Sequence, residues 1–278
     1  DARNPMLAYL DQAPEPPRVI DALILTHPHD DHYPGAEGVV RHFDVCDYYD
    51  PGYPDTTKRY EAFLHLVREA RCHGEPVRMH MGRETFGTLD WGSELDVKVL
   101  YAWPGSPTGL GHGNTLVNNA SIVLKITWGT QSILLMGDAE GKDRNGLADM
   151  PRYAEQRLMA EYGAAGLKAT VLKVAHHGSE TSSTNPFIAA VDPKYVIVSS
   201  GRKSFGGTFL PDRTALERYC AHNPAIRIFS TDQNDAAEHR TTRDDADGDN
   251  IMIRMNADTT IVTAAASGRP YIPTTCTP

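Results

Sequence analysis

No apolar run in this 278-residue chain exceeds about five residues, Val99 to Trp103 and Phe187 to Val191 being among the longest. A membrane-spanning helix needs roughly 18 or more, so the sequence offers none. The N-terminal residues Asp1-Ala2-Arg3-Asn4-Pro5 lack a basic segment leading into an apolar one, and no starting Met precedes them. No secretory leader is visible, and the expected location is cytoplasmic, with no membrane partner. Basic charge is scarce: 27 Lys and Arg face 36 Asp and Glu, a net charge of −9 with His neutral. That excludes a protein that coats nucleic acid by diffuse charge, but not an enzyme that holds phosphates through metal ions. Part of the excess is local, seven acidic residues against Arg240 and Arg243 between Asp232 and Asp249. The only four cysteines, Cys46, Cys72, Cys220 and Cys276, lie far apart without a CxxC pair. They are expected as unpaired thiols in a reducing compartment rather than a disulfide framework or a thiolate zinc site. The glycine-rich stretch around His112 lacks the Gly-Lys-Ser/Thr of a phosphate-binding loop, and Asp245 to Asp249 lacks the Glu of a calcium loop.

What remains is ordinary globular composition, 40% hydrophobic and 23% charged. Short apolar strands alternate with amphipathic segments. Strands are expected at 19–25, 94–103, 121–127, 131–136, 170–174, 195–199, 226–230, 251–255 and 260–263. Helices are expected at 35–43, 56–72, 151–162, 186–191 and 211–222, three of them opened by proline. Without repeats or low-complexity linkers, this order predicts one α/β domain over residues 1–278, with 264–278 as an extended tail.

The chemistry concentrates at strand ends. Leu23-Ile24-Leu25-Thr26 runs into His27-Pro28-His29-Asp30-Asp31-His32, three histidines and two aspartates within six residues. Two imidazoles spaced by one residue on an extended turn reach one cation, and Asp31 with His32 reaches a second; such donors suit zinc and other first-row divalent ions. Ile133 to Met136 ends in Gly137-Asp138, where a carboxylate could bridge two ions. Val171 to Val174 delivers His176-His177-Gly178-Ser179 to a third loop. All three clusters follow apolar strands, so one edge of the sheet system gathers them.

The His27-Pro28-His29-Asp30-Asp31-His32 stretch resembles the HxHxDH signature of the metallo-β-lactamase-fold hydrolases. With Asn118-Asn119-Ala120-Ser121, Gly137-Asp138 and Leu172 to Ser183, the chain looks more narrowly like the nuclease-type domain of ComEC competence proteins. The resemblance implies an αββα sandwich whose initial β-hairpin is missing from this chain, as in a fragment. It implies two divalent metal ions, zinc or manganese: His27 and His29 on one, Asp31 and His32 on the other, and Asp138 bridging. One of the adjacent pair completes the second site; His176, first off the strand, is preferred as ligand, with His177 as a catalytic or substrate group. Asn119, with His112 as the outside candidate, stands where many relatives have a third histidine for the first ion. A Gly-His-Pro common in the ComEC-like branch is absent from Ser204 to Pro211. The implied reaction is hydrolysis of a phosphodiester such as DNA or a nucleotide, with Asp31 orienting or deprotonating a water. Ser179, Thr181, Ser182, Ser183 and Lys203 are candidate substrate contacts, and Lys173 and Arg202 further cationic ones. The alternatives are a small ester, lactam or thioester hydrolase of the same fold, and a non-catalytic metal-binding module.

Overall fold

The computed structural model describes residues 6–7, 10, 19–201, 204–205, 207–231, 250–265 and 274–276. Lys203, Arg202 and the acidic stretch from Asp232 to Asp249 lie outside the described residues.

A small sheet of three parallel strands is ordered β1 (Val19–Ile24), β2 (Asp44–Asp50), β3 (Arg78–Met81). Its outer face is covered by α1 (Tyr33–His42) and α2 (Lys58–Glu69). In α1, Tyr33, Ala36, Val39 and Val40 form the buried stripe, and Pro34 sits in the first turn, where its missing N–H costs nothing. Thr57 starts α2 by accepting a hydrogen bond from Tyr60 N–H.

The larger sheet contains β4 (Asp96–Tyr101), β5 (Val123–Trp128), β6 (Gln131–Leu135), β7 (Val171–Lys173), β8 (Tyr195–Val198) and β9 (Arg227–Ser230). A β10–β11 hairpin (Asn250–Met255, Thr260–Ala265) packs Ile251, Ile253 and Val262 on its face. Strand β12 (Thr274–Thr275) closes the edge, giving the order β12-β9-β8-β7-β6-β5-β4. Strands β6 to β9 are parallel, while β4, β5 and β12 pair antiparallel. Short α3 (Asn114–Asn118) precedes β5; α4 (Tyr153–Leu167), α5 (Asn185–Val191) and α6 (Arg213–His222) cover the sheet's outer side.

Three apolar layers result. Leu158, Leu167, Phe187, Ile188 and Tyr219 pack with Leu134, Leu172 and Val196 between the large sheet and its helices. Tyr49, Phe86, Ile122 and Leu124 lie between the two sheets, with Ile24 and Leu135 against them. Tyr33, Tyr48, Tyr60 and Phe63 fill the space between the small sheet and its helices. This is the αββα sandwich that the sequence predicts. Among the described residues no helix is long and apolar enough to cross a membrane.

The cysteines differ from expectation. Cys46 on β2 is bonded to Cys72 beyond α2, and Cys220 on α6 to Cys276 beside β12; no described cysteine is free. The fold brings together residues 26 and 56 positions apart, a proximity that spacing alone does not reveal. Each bridge is expected to stabilise by about 2–4 kcal/mol through the loop it closes. Urea unfolding with and without dithiothreitol measures this; coincident curves would show that the bridges contribute nothing.

Candidate metal centre

The carboxyl ends of β1, β6 and β7 meet at one rim of the sandwich. Where β1 ends, Thr26 accepts a hydrogen bond from Ile122 N–H of the large sheet, 2.9 Å, which locks the two sheets together at the first histidine. His27 is fully buried. Its Nδ1 stands 3.1 Å from Thr26 Oγ1 and 3.3 Å from Ser121 Oγ, leaving Nε2 to face Asp138 Oδ2 at 3.7 Å and His29 Nδ1 at 3.1 Å. Hydroxyls on one ring nitrogen thus aim the other, as around ligating histidines generally.

Gly137 places Asp138. Its φ is +54°, and a Cβ there would come within 2.8 Å of Ser121 Oγ and 3.0 Å of Thr26 Cβ, so only glycine lets β6 turn this closely past β1. Asp138 N–H then donates to Ser121 Oγ, 2.9 Å. The carboxylate Oδ2 lies 3.4 Å from His32 Nε2 and 3.3 Å from His177 Nε2. Asp31 Oδ2 lies 3.5 Å from the same His177 nitrogen. Two groups of three ligand atoms, each within 4.8 Å of one another, are therefore assembled: His27, His32, Asp138 and Asp31, His32, His177. A third group, Cys46, Cys72 and His73, has its thiols spent on a disulfide.

The adjacent histidines after β7 part company. Both adopt left-handed backbone, φ +47° and +53°, a conformation rare outside glycine and frequent at functional sites. His177 Nδ1–H donates to Ser199 carbonyl at 2.7 Å, which directs Nε2 at Asp138 and Asp31. His176 turns away: its Nδ1 meets Glu140 Oε1 at 3.1 Å and Thr181 Oγ1 at 3.0 Å. The geometry thus brings His177 to the carboxylate pair, where sequence order favoured His176.

Charge follows from this packing. Burial raises Asp138, but His32, His177 and His27 outweigh it and hold the acid well below the usual carboxylate range. Asp31 behaves likewise: burial raises it, and the His177 imidazole 3.5 Å away and the nearby His32 bring it below its ordinary value. Burial would lower His177, yet Asp138 and Asp31 raise it to about 10. His27 and His29 are both lowered, mainly by burial, which keeps their lone pairs free.

The asparagine region is shifted by one residue from expectation. Asn119 is wholly engaged in holding the fold: Nδ2 donates to Leu110 and Thr115 carbonyls, and Oδ1 accepts from Glu140 and Ala154 N–H. Asn118 instead lines the cavity, its Nδ2 donating to Glu140 Oε1 at 2.9 Å. His112 is exposed and does not line that cavity. Ser182 is fully buried and donates to the Ala175 and Ser179 carbonyls, and Ser179 Oγ lies against Thr181 and Arg144. Of this loop it is Thr181, not either serine, that lines the cavity. Lys173 reaches the Gly137 carbonyl, 3.2 Å, beneath the site rather than solvent.

Above the cluster opens a cavity of about 790 Å³ with Arg59 and Arg144 on its wall, two cations that sequence spacing gave no reason to select. The buried side-chain polar atoms without a hydrogen-bond partner among the described residues are His29 Nε2, His32 Nε2, His177 Nε2, Asn118 Oδ1, Asp138 Oδ1 and Glu140 Oε2. All six surround this one site. Each such atom costs about 1–3 kcal/mol if left unsatisfied. Imidazole nitrogens with carboxylate and amide oxygens are the donor set that divalent cations take up.

Comparison with known proteins agrees with this geometry. The family model for the metallo-beta-lactamase superfamily matches residues 2–202. ComE operon protein 3 of Bacillus subtilis is 31% identical over 221 residues, 80% of this chain and 24% of its own length. Competence protein ComA of Neisseria gonorrhoeae is 32% identical over 122 residues, 44% of this chain and 15% of its own. Recombination protein 2 of Haemophilus influenzae is 24% identical over 208 residues, 75% of this chain and 21% of its own. The chain spans about a quarter or less of the length of these relatives. With the family match covering β1 to β8, the histidine loop, Asp138 and the adjacent histidines, the chain belongs to the metallo-beta-lactamase superfamily.

Proposed function

We propose that the chain is a metal-dependent phosphodiesterase acting on nucleic acid. The observation that carries this reading is the union, in one cavity, of a histidine–carboxylate floor with Arg59 and Arg144 on the wall. Arg59 lies 3.9 Å from Asp30, and Arg144 lies 3.1 Å from Asp212 and 3.7 Å from Glu180. A charged phosphate would therefore be drawn chiefly by the cations the floor takes up, with the two guanidiniums as hydrogen-bond donors beside them. Relatives whose names speak of competence and recombination support nucleic acid as that substrate.

His27, His29 and Asp138 would hold one ion, with Asn118 Oδ1 as a further oxygen donor on that side. Asp31, His32, His177 and Asp138 would hold the other. When bound, the two ions supply a water of lowered pKa and neutralise charge on the substrate. The chain's own residues do the rest. Thr26, Ser121 and Ser199 orient imidazoles. Asp31, partly exposed and held as a carboxylate, accepts a hydrogen bond from water and orients it. Arg59 and Arg144 orient phosphate oxygens. His176, tied to Glu140 and Thr181, holds the wall of the cavity in place.

Two disulfides persist in oxidising surroundings. They support a place of work outside the reducing cytosol, in contrast to the cytoplasmic expectation.

The test is hydrolysis of single-stranded DNA by metal-stripped protein titrated with zinc, manganese and magnesium, with small ester and lactam substrates in parallel. Manganese is expected to support activity at least as well as zinc, because the first ion has two imidazoles and otherwise oxygen donors. Turnover of the ester or lactam panel alone would replace the phosphodiesterase reading with a small-molecule one.

A further inference from the structure

A second open cavity, about 890 Å³, lies beside the first on the same rim. It is walled by the segments leaving β2 (Pro51, Gly52), β3 (Gly82, Arg83) and β4 (Ala102, Trp103), and by α4. These strands point the same way as the ones that carry the metal ligands. Strand β2 neighbours β1, while β4 stands two strands from β6. With strands 4.7–4.9 Å apart, the end of β4 stands roughly 10 Å along the rim from the end of β6, which Asp138 follows. Its floor stays open because Gly52 and Gly82 touch: a Cβ on Gly52 would lie 2.9 Å from Gly82 Cα.

Two side chains give this cavity its chemistry. Trp103 is partly exposed on its wall, buttressed by Tyr53 standing edge-on at 77° with ring centroids 5.0 Å apart. Arg157, on α4, is half-buried; one guanidinium nitrogen donates to Thr108 carbonyl, and no described carboxylate forms an ion pair with it. The neighbouring Arg83 is already paired with Glu161 at 3.6 Å. Glu84 and Glu161 also line the cavity, Glu161 facing Arg83, and neither is ion-paired with Arg157. An aromatic face beside a guanidinium outside any ion pair is the combination that binds single-stranded nucleic acid, by stacking on the base and attraction to the phosphate.

We propose that this cavity is a subsite for an unpaired base adjacent to the scissile phosphate, stacked on Trp103 with its own phosphate met by Arg157. The proposal rests on the phosphodiesterase reading and deepens it. It selects a single strand over a duplex, because a base locked in a pair presents no free face to Trp103.

The experiment measures binding of a fluorescein-labelled oligothymidylate to metal-stripped protein at low salt by anisotropy. Trp103→Ala and Arg157→Ala are each expected to weaken binding about ten-fold, and Trp103→Phe to retain most of it. Trp91→Ala, at an exposed position in another loop, is expected to bind as the unaltered chain does. A blunt duplex of the same length is expected to bind more weakly than the single strand. Circular dichroism checks that each variant is folded; should Trp103→Ala unfold, Arg157→Ala and Trp103→Phe carry the decision. Variants at both positions binding within two-fold of the unaltered chain overturn the subsite. Hydrolysis of a chromogenic phosphodiester by the unaltered protein separates the two failures. If the diester is split while the variants bind normally, the subsite falls and the phosphodiesterase reading stands. If the unaltered protein neither splits the diester with any divalent ion nor binds the strand, both fall.

Discussion

Replacing Asp138 with alanine is expected to lower hydrolysis by a factor of about 10² or more and to strip metal from the protein. Its carboxylate lies within 3.7 Å of His27, 3.4 Å of His32 and 3.3 Å of His177, one anion serving imidazoles from two strand ends. Removing it leaves those rings facing each other without a negative charge between them, so neither proposed ion keeps its full ligand set. Each factor of ten corresponds to about 1.4 kcal/mol of barrier, and loss of a metal-bridging group exceeds that readily. The fold itself is expected to survive, because Asp138 is held through its backbone N–H to Ser121 and sits on the rim, beyond the last residue of β6. Asp138→Asn keeps the shape and removes the charge, and it is expected to fail equally. Asp31→Ala is expected to follow, since Asp31 also faces His177 and His32. Metal content by elemental analysis and turnover, measured on variants with native circular dichroism, decide the point. Full metal content with near-normal turnover in Asp138→Ala would remove this residue from the centre.

What could be read in advance depended on whether local pattern and tertiary contact agreed. The strands before His27, Asp138 and His176 are apolar runs, and the ligands sit immediately beyond them, so their gathering at one edge was legible. Strand β2 was not, because Asp44, Asp47 and Asp50 interrupt its apolar pattern. Two of its acids meet partners from elsewhere in the chain: Arg78 and His80 for Asp47, and Tyr60, beside the strand's own Tyr48, for Asp50. The asparagine pair shows a finer limit. Asn118 and Asn119 are chemically identical, and a single step in register at the end of α3 decides which amide faces the cavity and which anchors Glu140 and Ala154. Glu140, which no local pattern singles out, is buried with Asn118 and His176 against its carboxylate. The serines after Gly178 read as substrate hydroxyls because they are polar and close to the histidines. The protein consumes them itself, Ser182 in carbonyl contacts and Ser179 against Thr181 and Arg144.

The sharpest remaining contrast lies between His176 and His177. His177→Ala is expected to lose about one metal ion per chain and to lower hydrolysis by about 10² or more, whereas His176→Ala retains both ions and falls by no more than about ten-fold. The difference lies in the backbone. Two successive left-handed residues reverse the chain after β7, so the first imidazole points at Glu140 and Thr181 and the second returns to the carboxylates. Ser199 fixes the second ring through Nδ1, which leaves Nε2 as the atom presented to Asp138 and Asp31. His176 has its polar contacts with the protein, and its removal deprives Glu140 of one donor while Asn118 still supplies another. That loss is expected to show as about 1–3 kcal/mol of stability rather than as lost metal. Elemental analysis of dialysed protein, turnover, and urea unfolding of the two variants side by side measure all three quantities. If His176→Ala loses an ion and His177→Ala keeps both, the order favoured by the sequence is the correct one and His177 Nε2 serves the substrate instead.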